Sequence, residues 1–98
     1  MDSYHYRSGR NYREEIIRSL GGYGKTIHEE VIDRGHKGGA EIHCITDNAI
    51  IVIYNLKTQK LITTLIARPK QLKSYNWKVP QKLLDIAHKR KIEGLNEF

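Results

Sequence analysis

Residues Glu41 to Arg68 read EIHCIT, the pair Asp47-Asn48, AIIVIYN, the turn LKTQK, then LITTLIAR. Three runs rich in β-branched residues joined by two short polar turns specify an antiparallel meander. The middle run, Ala49 to Tyr54, is almost continuously apolar, as befits a strand with neighbours on both sides and cover on part of both faces. It is the expected central strand. Because side chains alternate across a strand, Glu41, His43 and Ile45 share one face of the first run, and Ile42, Cys44 and Thr46 share the other. In the third run Leu61, Thr63, Leu65 and Ala67 oppose Ile62, Thr64, Ile66 and Arg68.

On the N-terminal side, Asn11 and Glu14 have capping-box spacing, and Tyr12, Ile16, Ile17 and Leu20 fall on one helical face. This predicts a first helix over about 12 to 20, stopped by Gly21, Gly22 and Gly24. Thr26 and Glu29 repeat the spacing and predict a second helix ending near Gly35, with His28 one turn before Val31 and Ile32 and aimed at the sheet. Residues 1 to 10 show no periodicity and read as a flexible arm. On the C-terminal side, Pro69 breaks the strand, KQLKSYNWK reads as irregular with a Tyr/Trp anchor, and Pro80 suits the first turn of a closing helix. Leu83, Leu84, Ile86 and Ala87 give that helix its apolar side. The expected fold is α+β in a single domain over 1–98. Two N-terminal helices occupy 11–35, an antiparallel meander of three or four strands occupies 41–68, and a C-terminal helix occupies 79–92.

Ninety-eight residues suit one core. No apolar run approaches the roughly 20 residues that span a bilayer, and MDSYHYRSGR lacks the apolar core of a signal peptide, so a cytoplasmic protein without membrane contact is expected. A single cysteine, Cys44, forms no intramolecular disulfide and no zinc cluster, and neither a metal nor a cofactor is expected. The formal net charge is +6, and from Arg68 to Lys91 eight basic residues meet one acid, Asp85. Lys70, Lys73, Lys78, Lys82, Lys89 and Arg90, interleaved with Tyr75 and Trp77, form a candidate nucleic-acid surface of cations and stacking rings. Ser19 to Thr26, SLGGYGKT, falls one residue short of the pattern GxxxxGK[ST]. A phosphate loop follows a buried parallel strand, whereas this stretch follows a helix and precedes an antiparallel sheet, so it reads as a glycine-rich turn.

Over residues 11 to 75, the helix-helix-meander order, the segment HEEVIDRGH and the paired runs IIVIYN and KLITTLIAR resemble the superfamily of small ribonucleases that groups barnase, EndoU, colicin-type tRNases and RelE, including related phage domains. The resemblance implies metal-independent cleavage of RNA through its 2′-hydroxyl, with groups presented from the helix and one sheet face. It also implies a toxin-like or phage-encoded protein, acting in a bacterial or phage-infected cell, that an immunity or antitoxin protein would oppose.

That reaction needs a base for the 2′-hydroxyl, an acid for the leaving 5′-oxygen, and donors for charge on the phosphoryl oxygens. His28, His36 and His43 are the candidates for proton transfer, and Arg68 and Arg34 for charge stabilisation. Thr64, placed on the face of Arg68, is favoured over Thr63 as a donor, and Tyr54 or Tyr75 is available to position a base or give a proton. Two other classes fit the same composition. One is a nucleic-acid-binding protein without catalysis, and the other a phage-encoded module that inhibits a host factor through a sheet edge or the closing helix.

Overall fold

The computed structural model describes residues 9–35 and 37–95, with side chains from residue 12 onward. The expected arm therefore lies, up to residue 8, outside the described residues, and so does His36. Helix α1 (Gly9–Ser19) leads into strands β1 (Thr26–Ile32), β2 (Glu41–Thr46), β3 (Ile50–Asn55) and β4 (Leu61–Ile66), followed by α2 (Pro69–Lys73) and α3 (Gln81–Ile92). The strands form one antiparallel sheet in the order β1-β2-β3-β4. The fold is α+β, and the meander expected over 41 to 68 supplies three of its four strands.

The fourth strand corrects the sequence reading: the segment expected as a second helix is β1. Its capping-box spacing is real, but β-branched Thr26, Ile27, Val31 and Ile32 favour extended backbone, and the edge of β2 offers a full ladder of partners. Period two replaces period 3.6, so His28, Glu30 and Ile32 share a face and Val31 points the opposite way. The helix-helix-meander order that carried the family resemblance is thus helix followed by a four-stranded meander. Two smaller differences follow. Helix α1 begins before Asn11, which stands inside the helix instead of capping it, and the segment after Pro69 contains the short helix α2, where the Arg68 amide donates to Gln71 Oε1 at 2.8 Å.

Strand β3 is central and buried on both sides. Ile51 and Ile53 join Ile45, Ala67, Leu72, Leu83 and Ala87 in the larger core, which Tyr75, Trp77, Val79 and Leu84 flank. Ile50 and Ile66 meet Ile17 of α1 in a smaller core on the opposite face. One face of the sheet is thus covered by α2, the 74–80 segment and α3, and α1 lies along part of the other. No helix among the described residues is long and apolar enough to cross a membrane.

The glycine-rich loop after α1 has a structural task. Asn48 Nδ2 donates to the carbonyls of Gly22 at 2.6 Å and Leu20 at 3.2 Å, and the Lys25 amide donates to Asp47 Oδ1 at 2.9 Å. This seats Gly24 against the β2–β3 turn, where a Cβ would collide with Asp47 Oδ1 and lie 2.9 Å from Asn48 Cβ. Gly24 and Gly21 both have positive φ, +85° and +103°, but a Cβ on Gly21 meets nothing within 4 Å. A side chain in the left-handed region costs roughly 1–2 kcal/mol, which both positions share. Gly24→Ala is therefore expected to lower Tm by several degrees more than Gly21→Ala, at roughly 4–8 °C per kcal/mol. Thermal unfolding followed by circular dichroism decides this, and equal shifts would mean that the loop does not rest on the turn.

Candidate active site

Alternation along β1 and β2 gathers an ionisable cluster on the face beneath residues 74–79. Glu30 of β1 pairs with His43 of β2, so His28 lies diagonally from His43 on the same face. Such diagonal neighbours are about 7–8 Å apart. Glu41, two residues before His43, shares the face again.

His43, only 5% exposed, spans two partners. Its Nε2 lies 3.0 Å from Glu41 Oε1 and its Nδ1 lies 2.7 Å from the Tyr75 hydroxyl. A carboxylate only accepts, so Nε2 carries the proton to Glu41 and Nδ1 accepts from the phenol. The result is a line of hydrogen bonds from Tyr75 through His43 to Glu41, with the Tyr75 ring set edge-on to the imidazole at 5.6 Å. Arg34 Nη1 stands 4.0 Å from the same Glu41 oxygen and keeps its side chain largely in solvent. Beside this line, His28 stacks on Trp77 with centroids 4.5 Å apart and planes at 17°, and its Nε2 is 3.6 Å from Glu30 Oε1. Glu30 also accepts from the Asn76 amide at 2.9 Å and from Asn76 Nδ2 at 3.3 Å, which ties the irregular segment to β1. Both His28 Nε2 and Trp77 Nε1 are buried without a hydrogen-bond partner.

Burial raises the Tyr75 phenol above its ordinary value of 10.0, Glu30 and Glu41 push it further the same way, and Arg34 opposes them. Tyr75 is thus a neutral phenol at physiological pH, able to accept a proton only while passing its own to His43.

The other sequence candidates lie elsewhere. Thr64, 2% exposed with an unpartnered hydroxyl, is paired with Val52 on the face that carries α1, opposite the face of His43. Thr63 accepts from Arg13 Nη1 at 3.2 Å. Arg68 leaves the alternation, because β4 ends at Ile66, and it lines a cleft between α2 and α3 with Lys70 and Lys73. The structure therefore brings His28, His43, Arg34, Tyr75 and Trp77 together and does not bring Thr64 or Arg68 to them. Lys78, Lys82 and Lys89 are exposed. Arg90 is withdrawn from the nucleic-acid surface: it is 7% exposed and donates from Nη1 to Asn48 O at 2.6 Å and from Nη2 to Asn48 Oδ1 at 2.8 Å. Burial lowers its pKa, against the pull of Glu93. Tyr54 lines a groove on the α1 side with Cys44 and Glu29. There the Cys44 thiol is pushed up by burial and by the adjacent Glu29, which accepts its hydrogen bond at 3.8 Å.

Sequence reasoning missed Glu41 and Glu30. The i, i+2 pair Glu41-x-His43 was readable as one strand face, whereas Glu30 became readable only once β1 is a strand. Among the described residues no group of three or more His, Cys, Asp and Glu is placed to hold a metal ion. Comparison with protein-family models, curated proteins and solved structures found no match to the chain.

The raised phenol has a consequence for pH. A folded value above the unfolded one means that neutral Tyr75 favours the folded state. That contribution is whole below about pH 10 and is lost as pH rises through the folded value. Absorbance titration of tyrosinate should show a late ionisation beyond the ordinary range that is missing in Tyr75→Phe, and its absence from the parent would contradict the burial of the phenol beside Glu30 and Glu41.

Proposed function

We propose that the chain is a metal-independent endoribonuclease in which Tyr75 and His43 activate the substrate 2′-hydroxyl. The observation that carries this is the line Tyr75 Oη, His43 Nδ1, His43 Nε2, Glu41 Oε1, with bonds of 2.7 and 3.0 Å. The 2′-hydroxyl gives its proton to the Tyr75 oxygen as the phenol passes its own to His43, and Glu41 stabilises the imidazolium that results. The 2′-oxygen attacks phosphorus, the P–O5′ bond breaks, and His28 on the same sheet face serves as the acid that gives the leaving oxygen its proton. Products are a 2′,3′-cyclic phosphate and a 5′-hydroxyl, and no oxidant, reductant or metal enters the balance. The exposed Arg34 guanidinium offers paired donors to the phosphoryl oxygens. Two carboxylates near a phosphodiester would repel it if free, but Glu30 is engaged by Asn76 and His28, and Glu41 by His43 and Arg34. This keeps the 2′-hydroxyl chemistry that the family resemblance implies and moves its residues from Arg68 and Thr64 to Tyr75, His43 and Glu41.

The test is cleavage of a labelled oligoribonucleotide in excess EDTA. Cyclic-phosphate ends are expected, with no cleavage where a 2′-deoxynucleotide occupies the scissile position. Tyr75→Phe and His43→Ala should each lower the rate by about 10² to 10⁴, the range typical of a proton-transfer group. Glu41→Gln, which keeps an acceptor but removes the charge, should lower it less. An inactive parent, or a Tyr75→Phe variant as active as the parent, overturns the proposal.

A further inference from the structure

The cleft between α2 and α3 stands apart from the Tyr75–His43 line and has its own electrostatic logic. Lys70 and Lys73 stand one turn apart on α2, and His88 and Lys91 have the same i, i+3 spacing on α3, so each pair shares a helix face. The two pairs line opposite walls of a cleft of about 390 Å³, with Arg68 and Pro69 at the point where the chain leaves β4. No carboxylate lines it among the described residues. Arg68, Lys70, Lys73 and Lys91 are permanent cations, and with His88 they stay exposed on two walls that an anion can enter.

We infer that this cleft binds the phosphate backbone of single-stranded RNA. The inference takes its ligand class from the reading above but concerns binding alone. Three features select that ligand. Cations on facing walls can neutralise successive phosphates of one strand, whereas a lone anion would use only part of the set. The cleft is too small to admit a duplex. Lys73 precedes Tyr75 by two residues, so their Cα atoms are at most about 7 Å apart and the cleft adjoins the segment that carries Tyr75. An anionic bilayer is the competing partner. Exposed Ile92 neighbours Lys91, but a bilayer is met by an apolar face that enters the headgroups, and this site is concave with its charges on opposed walls.

The experiment uses the full chain and a fluorescein-labelled 2′-O-methyl oligoribonucleotide, which cannot be cleaved, with anisotropy followed against salt. For a single strand log K falls with log salt at about 0.7 per phosphate contact, so Lys73→Gln with Lys91→Gln should flatten the slope by roughly 1.4. Lys57→Gln with Lys60→Gln changes the net charge equally at the β3–β4 turn, at the other end of the sheet, and should leave the slope as in the parent. Because the oligonucleotide cannot be cleaved, its binding is read whether or not the parent cleaves RNA, which separates this inference from the catalytic one. Equal flattening by the two lysine pairs, no RNA binding by the parent, or preferential binding to vesicles containing 30% phosphatidylserine would each overturn it.

Discussion

The Asn48 side chain is the constraint on which the arrangement of the layers depends. Its amide donates to Leu20 and Gly22 at the end of α1, and its carbonyl oxygens, backbone and side chain, accept from the Arg90 guanidinium near the end of α3. One residue in a tight turn thus links the helix on one face of the sheet to a helix on the other. The turn is rigid for its own reasons. Thr46 Oγ1 accepts from the amides of Asn48 and Ile50, and Ala49 adopts a left-handed φ of 57° as the last residue of a three-residue hairpin loop. A guanidinium buried without acceptors is strongly destabilising, so losing Asn48 would harm the protein twice, through the helix-end carbonyls and through Arg90.

This link explains why the basic C-terminal half divides into two kinds of cation. Arg90 follows the register of Leu83 and Ala87, which are buried against the sheet, and is drawn inward with them. His88 and Lys91 lie off that register and stay exposed toward α2. Charge composition alone placed Arg90 on one surface with Lys70, Lys73, Lys78, Lys82 and Lys89, because a count of lysines and arginines contains no helical phase. The phase of α3 was readable from Leu83 and Ala87, and it would have assigned Arg90 to the interior.

The meander from 41 to 68 was legible because two independent signals agreed: β-branched runs of strand length, and polar turns of hairpin length between them. Residues 26 to 32 were misread because Ile27, Val31 and Ile32 satisfy a helical stripe as well as a strand, and the Thr26 and Glu29 spacing imitates a helix start. Only the unfilled edge of β2, a tertiary fact, breaks the tie. The pairing of Thr64 with Arg68 failed for a simpler reason, since alternation was extended past Ile66, where the ladder ends. The nearness of Tyr75 to His43 was beyond the sequence, for 32 residues and an irregular segment separate them.

That irregular segment determines how the site is held. Residues 74–79 have no ladder of their own and are fastened to the sheet by the Asn76 bonds to Glu30, by Trp77 on His28 and by Tyr75 on His43. These contacts are polar or stacking and lie at the β1 and β2 side of the sheet, whereas the isoleucine core is centred on β3. The hydrogen-bonded line from Tyr75 to Glu41 exists only while this segment is seated. Trp77 still contributes to the larger core from the same segment, so seating the segment and completing the hydrophobic cover of the sheet are one event. Tyr75 reaches His43 within that cover, and the phenol is held neutral by the same burial.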